Sequence, residues 1–378
     1  MTKNVGIIGG GQLAWMMAQV APQEDINIYI QTPNEDDSAV CLAQRSIFAK
    51  IDDVSATAEL AKYCDVITFE NEFVDLDGLQ SLVGEGVCFY PRLSSLAPLL
   101  DKLDQRSFFQ SHGLPVPRFS LYNSEADFQG FSFPLVLKAR RHGYDGQGTV
   151  IVRSHLELQS ALERFKDTPL LIEEFIPFEK ELAVMAARSI TGDIRIYPVV
   201  ETYQANQVCR WVIAPALVSQ SIIDHIGAMA SQLLISLDYV GVLGIELFLT
   251  ENGDVLINEV APRTHNSGHY TLDACETSQF AIQLQAITGK NLGNTQLKSV
   301  GALMVNLLGY ESAQTEYLPQ RDAIAQLGGN VHWYGKIESR EGRKLGHVTV
   351  LLEEENPEKM YQQAKLMMKK IESIWYQK

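Results

Sequence analysis

Apolar and polar positions follow two textures along the chain. Over residues 4–100, short β-type runs (VGIIG, INIYI, VITF, GVCFY) alternate with stretches of helical spacing, GQLAWMMAQVA and SATAELAKYC. A strand–helix–strand series of this kind predicts a small doubly wound parallel sheet, an α/β unit. HGLPVPRF, with two prolines and a glycine, interrupts the series, and a boundary is expected near residue 112.

From residue 113 to about 290, strand pairs joined by glycine turns take over: PLVLK with TVIV, LLIEEF with ELAVMAAR, and GIELFLTENGDVLINEV. Helical segments SHLELQSALERF and IIDHIGAMASQLLISL lie between them, and a helix around SQFAIQLQAITG closes the region. This is an α+β arrangement. VGALMVNLLG, VHWYGK and KLGHVTVLL then read as a small β-rich module, followed by a helix over NPEKMYQQAKLMMKKIESIW. The expected units are 1–112, 113–295 and 296–378.

Composition adds bounds. The chain has 378 residues, 46% hydrophobic and 20% charged, which suits a globular protein with an ample core. Its net charge of −15 opposes nucleic acid and anionic membrane as partners, so an anionic substrate needs a local basic cluster. Five scattered cysteines without a Cys-x-x-Cys pair point to reduced thiols and a cytoplasmic location. No signal peptide is expected. The most apolar window, YVGVLGIELFL, is too short for a membrane span and carries Glu246.

Gly9-x-Gly11-x-x-Ala14 follows the first strand and matches the dinucleotide fingerprint. That fingerprint wants an acidic residue about 20 positions on, at the end of the second strand, for a ribose diol. Gln31 stands there, so a nicotinamide-dependent oxidoreductase is the weaker reading. The turn still offers N–H groups at a helix start.

GIELFLTENGDVLINEVAPR carries more. Asn252-Gly253 predicts a two-residue hairpin turn, which pairs Glu251 with Asp254, Leu249 with Leu256 and Glu246 with Glu259. Two opposed carboxylates repel. Either one is protonated or a divalent cation sits between them. Asn258 adds a third oxygen and favours the cation, and an all-oxygen set suits Mg²⁺ shared with phosphate oxygens.

Four further stretches hold candidate chemistry. Lys138 ends a strand, and Gly143, Gly146 and Gly148 fill a loop able to close over phosphates. It is no Walker A loop, because no Gly-Lys is followed by Ser or Thr. Glu173, Glu174, Phe175 and Ile176, with Glu181 beyond, could read an adenine edge and a ribose diol. Arg263, His265 and Asn266 cluster in APRTHNSGH, where arginine can hold a carboxylate or carbonate-like anion. Lys336 and Arg343 come from opposite sides of one hairpin and suit a phosphate clamp.

GYDGQG, INEVAPRTHNSGH and HWYGK…GRKLGH, in this order, resemble the ATP-grasp ligases, and among them the N5-carboxyaminoimidazole ribonucleotide synthetase family. The likeness runs from GGGQL to GRKLGH. It implies an ATP-grasp fold with an N-terminal Rossmann-like (pre-ATP-grasp) parallel-sheet domain, a lid subdomain at about 131–200 and a small C-terminal β-rich domain. It implies a reaction that joins 5-aminoimidazole ribonucleotide, bicarbonate and MgATP into the N5-carbamate, ADP and phosphate through carboxyphosphate.

By the same resemblance, Lys102 and Lys138 contact ATP phosphates under the loop from Gly143 to Thr149. Residues 173–176 hold adenine and Glu181 the ribose. Glu246 and Glu259 bind Mg²⁺, or Mn²⁺ in its place, with Asn258 adjacent. Tyr144, Asp145, Gln147, Arg263, His265 and Asn266 surround the aminoimidazole and the bicarbonate-derived group, with Asp145 orienting or deprotonating the amine. Lys336 and Arg343 hold the ribonucleotide phosphate, and Gln12 and Leu13 line that side of the cleft. A homodimer and coupling to the mutase that uses the carbamate are also implied. Ala14 and Trp15 depart from the Gly-Arg usual in the family, and Gln204 stands where a histidine is often found. A formate-using glycinamide ribonucleotide transformylase is the rival within the ATP-grasp enzymes.

Overall fold

A computed structural model describes residues 2–141, 148–336 and 338–377. Its first sheet is parallel, with strands β1 (Lys3–Ile8), β2 (Ile26–Thr32), β3 (Arg45–Phe48) and β4 (Val66–Phe69) in the order β3-β2-β1-β4. Helix α1 (Gln12–Val20) packs on one face. Helices α2 (Val54–Ala61), α3 (Leu76–Gly84) and α4 (Leu93–Leu96) cover the other, around Ile8, Ile67 and Phe69. Both faces are buried, as a parallel sheet requires.

One strand here went unread, and one expected strand fails. β3 carries no apolar run, and its positions are exposed or half-buried, so its pattern gave no strand signal. GVCFY supplies a single bridge, Ile67 to Phe89, rather than a strand.

Helix α5 (Lys102–Ser111) leads out of this unit. Asp101 caps it by accepting from the Leu103 and Asp104 N–H groups. A second, four-stranded antiparallel sheet follows: β5 (Phe119–Tyr122), β6 (Leu135–Ala139), β7 (Thr149–Val152) and β8 (Leu170–Glu174), ordered β5-β8-β6-β7 and covered by α6 (His155–Arg164).

The third sheet has nine strands. They are β9 (Phe178–Arg188), β10 (Ile194–Ile196), β11 (Val200–Ala205), β12 (Val208–Ala214), β13 (Gly241–Thr250), β14 (Val255–Ala261), β15 (Gly301–Leu308), β16 (Asn330–Trp333) and β17 (Lys344–Leu352). Their path is β14-β13-β9-β11-β12-β15-β17-β16, with β10 on β9. The last three strands therefore extend the central sheet through the β12–β15 pair. Gly301 permits this contact, since a Cβ there would meet the Ala214 carbonyl at 2.9 Å.

Helix α7 (Gln220–Ser236) buries Met229 and Leu233 on one face of the central sheet. After the short α8 (Thr271–Ala274), α9 (Gln279–Thr288) covers the other face and also packs against α1. α9 is buried on all sides, which explains its weak amphipathic signal. Helices α10 (Leu318–Ala325) and α11 (Pro357–Trp375) cover the last strands around Met360, Ile371 and Trp375. Among the described residues no helix is long and apolar enough to cross a membrane.

Candidate active site

A cleft of 1610 Å³ lies where the three sheets meet. It is lined by Gln12 and Leu13 from α1, Lys102 from α5, Lys138 from β6, Glu246 from β13, Asn258 and Glu259 from β14, and Lys336 and Arg343 from the β16–β17 hairpin.

The β13–β14 turn differs from the expected one. The Thr250 N–H donates to the Asp254 carbonyl at 2.9 Å, so three residues form the loop, with Gly253 at φ +85°. Leu249 consequently pairs with Val255, not Leu256. A bulge between Glu246 and Leu247 then inserts Asn258, and the register beyond it brings Glu246 opposite Glu259. The facing carboxylates are as expected. The route to them is a longer turn compensated by a bulge.

The two glutamates titrate far apart. Burial opposes ionisation of Glu259, but the Lys102 ammonium outweighs it and holds the carboxyl at about 2. Lys102 Nζ lies 2.8 Å from its Oε2. Burial and then the Glu259 charge push Glu246 up to about 7. Glu181 sits diagonally across from Glu246 on β9, and burial together with Glu246 raises it to about 7 as well. Three carboxyl groups thus face one cleft, and burial and mutual repulsion hold two of them near neutral values. The oxygens of Glu246, Glu259 and the Asn258 amide fit a hard divalent cation.

Lys138 Nζ lies 2.7 Å from Glu173 and 3.1 Å from the Asn258 side-chain oxygen. Arg106, which the sequence reading missed, donates from Nε to the other Glu173 oxygen at 2.7 Å. It also donates to the Asn258 carbonyl. Burial opposes the Glu173 charge, but Arg106 and Lys138 hold the carboxyl at about 2. Since that carboxylate is committed inside the protein, only the Glu173 backbone can face a base. Glu174, Phe175 and Ile176 also line the cleft. Gly148 accepts the Ala139 N–H at 2.7 Å, and Thr149 opens β7 beside Lys138. Gly143, Tyr144, Asp145, Gly146 and Gln147 lie outside the described residues.

The loop after β14 brings Arg263, His265 and Asn266 to the same cleft. His265 Nε2 is 3.6 Å from Glu246, and its Nδ1 is 2.8 Å from the Ser267 hydroxyl. Buried Gln279 grips the His265 backbone at both ends, accepting its N–H at 3.0 Å and donating to its carbonyl at 2.8 Å. Gly244 lets this loop close, because a Cβ there would lie 2.6 Å from the His265 Cβ. Asn266 exchanges amide hydrogen bonds of 3.0 and 2.7 Å with Asn306 on β15. Glu72 takes Arg263 through Nε at 2.8 Å and Nη2 at 3.4 Å.

The glycine turn already holds a carboxyl group, and it is internal. The Glu70 carboxyl accepts from the Gly11 N–H at 2.6 Å and the Leu13 N–H at 3.0 Å. Gly9 has φ +121°, and a Cβ on it would lie 2.5 Å from Glu70. The neighbouring Gln12 side chain accepts from Lys336 Nζ at 2.8 Å. Lys336 also donates to the Lys344 carbonyl at 2.7 Å, and Arg343 to the Glu338 carbonyl at 2.8 Å. Lys344, a further residue missed in the sequence, lines the cleft, and its charge lowers Glu246. The unusual Ala14 is fully buried, and Trp15 meets Tyr334 edge-on at 6.3 Å, so packing there is intact. Gln204 lines the cleft, and its backbone hydrogen-bonds Glu181.

Among the described residues, Asp273, His332 and His347 also bring three atoms of metal-ligand type within 4.8 Å of one another. They make two separate hydrogen bonds and one ring stack instead. Asp273 takes His332 Nε2 at 2.9 Å, and Tyr334 takes His347 Nδ1 at 2.8 Å. The two imidazoles stack with planes 13° apart and centroids 4.6 Å apart. In-plane lone pairs of stacked rings do not converge on one ion at the ~2.1 Å a metal–nitrogen bond needs.

Comparison with known proteins agrees with this arrangement. Residues 1–98 match the ribonucleotide synthetase preATP-grasp domain, 107–280 the ATP-grasp domain, and 302–360 the phosphoribosylaminoimidazole carboxylase C-terminal domain. The chain is 54% identical to an N5-carboxyaminoimidazole ribonucleotide synthase from Synechococcus elongatus, over 99% of this chain and 95% of that protein. It is similar to the crystal structure of the Thermotoga maritima N5-carboxyaminoimidazole ribonucleotide synthetase, with TM-score 0.86, 38% identity and 98% of each chain covered. An Aspergillus clavatus N5-carboxyaminoimidazole synthase, solved with ADP and 5-aminoimidazole ribonucleotide, superposes with TM-score 0.89 at 28% identity, covering 99% of this chain and 98% of that one.

Proposed function

We infer the details of the reaction from the site, taking as premise that this chain belongs to the N5-carboxyaminoimidazole ribonucleotide synthase family of ATP-grasp enzymes. It carries out the ATP-dependent carboxylation of 5-aminoimidazole ribonucleotide in purine biosynthesis. The carbon source is bicarbonate. Its oxygen takes the γ-phosphoryl group, giving ADP and carboxyphosphate. The exocyclic amine then attacks the carboxyl carbon of carboxyphosphate, or of CO₂ released from it; the bond to phosphate breaks in either route, and the amine loses a proton.

The observation that carries this reading is the convergence of Lys102, Lys138, three carboxyl groups and the Arg263 loop in one cleft, with the Lys336 hairpin beside it. Phosphoryl transfer to a weak nucleophile rests on positioning and charge neutralisation. Lys102 exchanges Glu259 for phosphate oxygens when ATP enters, and Lys138 adds its charge to them while it keeps Glu173. Glu181 takes the ribose diol. Arg263, His265 and Asn266 hold the carboxyl group being transferred. Lys336 and Arg343 hold the ribonucleotide phosphate, beside Gln12 and Leu13. Asp145 takes the amine proton. Glu246, Glu259 and Asn258 would hold Mg²⁺, or Mn²⁺ in its place, which would supply charge for the triphosphate. The divisions at 112 and 295, a cytoplasmic homodimer and coupling to the mutase that uses the carbamate belong to the same reading.

A coupled ADP-release assay tests it. With MgATP, the full chain should release ADP only when the ribonucleotide and bicarbonate are both present. Turnover with formate in place of bicarbonate, or without the ribonucleotide, overturns the reading.

A further inference from the structure

Glu72 belongs to none of the motifs that point to the nucleotide or the metal. It follows β4 on the parallel sheet, whereas Arg263 follows β14 on the central sheet, 191 positions away. The two meet across the seam between the sheets. Both Glu72 oxygens engage the guanidinium, at 2.8 Å through Nε and 3.4 Å through Nη2, while Nη1 donates to the Thr264 carbonyl at 3.3 Å. A two-point contact fixes the plane of a guanidinium as well as its place. The pair lines the cleft and is only partly exposed, 21% for Arg263 and 24% for Glu72.

The surroundings make that hold necessary. Arg263 also feels the charges of Glu259 and Glu70. An arginine without its own partner would be drawn to Glu259, into the place a cation and the triphosphate need. Glu72 keeps the guanidinium on the side where His265 and Asn266 follow it.

We propose that Glu72 is a positioning residue: it orients Arg263 on the carboxyl group being transferred, and so decides how much carboxyphosphate the amine captures before water does. This rests on the functional reading above. Water attacking carboxyphosphate returns bicarbonate and phosphate, so every such event releases ADP without a carbamate. A mis-set Arg263 therefore appears as uncoupling, not simply as slow turnover.

The experiment measures labelled bicarbonate fixed per ADP released by the full chain, as wild type, Glu72→Gln, Arg263→Ala and the double variant. Glu72→Gln should lower the ratio roughly tenfold, the size of a small misplacement of a reacting group, with the KM for ATP little changed. Because Glu72 acts through Arg263, the double variant should be no worse than Arg263→Ala. Glu72→Asp keeps the charge with a shorter reach and should fall between wild type and Glu72→Gln. Should Glu72→Gln not fold, the comparison of Arg263→Ala with the double variant still decides. Losses that multiply in the double variant, or an unchanged ratio in Glu72→Gln, overturn the proposal. A wild-type chain that fixes no bicarbonate fails the functional reading itself. Wild-type fixation with multiplying losses fails only Glu72.

Discussion

Glu173 shows how a residue can sit in a motif and serve a different end from the one its position suggests. Its carboxylate lies between Arg106 and Lys138, all three buried. Replacing it leaves two buried cations without their shared partner, which costs about 3–5 kcal/mol. Glu173→Gln should lower the unfolding free energy by that amount at pH 7, read from the urea midpoint. The sign of the pH effect follows from its folded value of about 2 against 4.5 unfolded. A depressed carboxyl contributes stability that is complete above about 4.5 and lost as pH falls toward 2. Wild type should therefore lose stability more steeply than Glu173→Gln over that window, and parallel curves would show that the ion pair does not govern acid unfolding. Glu259 differs in that its partner Lys102 is needed elsewhere. Glu259→Gln should cut turnover by at least ~10²-fold while the melting temperature changes little, and normal turnover would remove it from the metal site. Residue identity alone could not separate these two glutamates. Both stand in apolar strands, and only the long-range partners Arg106 and Lys102, from α5, tell them apart.

At the level of elements, local signals gave the existence of strands and helices more reliably than their ends. VITF is a strand buried on both faces and INIYI one that alternates buried and half-buried positions, while RSIF was invisible because it is largely exposed at a sheet edge. The β13–β14 hairpin is more instructive. An Asn-Gly pair favours a two-residue turn, but the chain closes after three, and the bulge at Asn258 recovers the register. The compensation was illegible because a bulge is fixed by what the strand packs against, and here that is Lys138 and Arg106 gripping Asn258. The glycine turn was legible as an anion site, but the group it holds was not, since Glu70 arrives from the end of β4. An acid directly after a strand whose neighbour carries the glycines is a usable signal for such a site. Gly244 offers the element-scale test. Gly244→Ala places a methyl against the His265 loop while leaving the strand's φ/ψ accessible to alanine. It should lower kcat at least ~10-fold with a loss of stability on the order of 1–3 kcal/mol from overpacking. Unchanged kcat would mean that the loop tolerates displacement.

Across the whole molecule, the sequence pattern suggested three units, and the structure ties them together at two places. Helix α9 is shared. It packs on the central sheet on one side and on α1 on the other, and Gln283 bonds both the Val242 N–H at 2.6 Å and the Thr68 hydroxyl at 2.9 Å. The second tie is the β12–β15 pair, through which the last strands continue the central sheet. Strand periodicity reads a strand but not its neighbour, so the pairing of this β-rich segment with β12 was not visible in the sequence. The consequence is testable by truncation. A chain ending at residue 295 would expose the unpaired edge of β12 and the faces of Trp211 and Ile213, which Leu303, Val305 and the α11 residues otherwise cover. An open apolar edge of that kind is a template for association. The truncated chain should therefore aggregate or lose the near-UV signal of its packed aromatics, and full-length protein should unfold with β12 and β15 losing amide protection together in hydrogen exchange. A soluble, monomeric 1–295 fragment that still binds ATP would show instead that the last strands are an independent unit. Lys336 and Arg343 would then reach the cleft as a docked module and not as part of one continuous sheet.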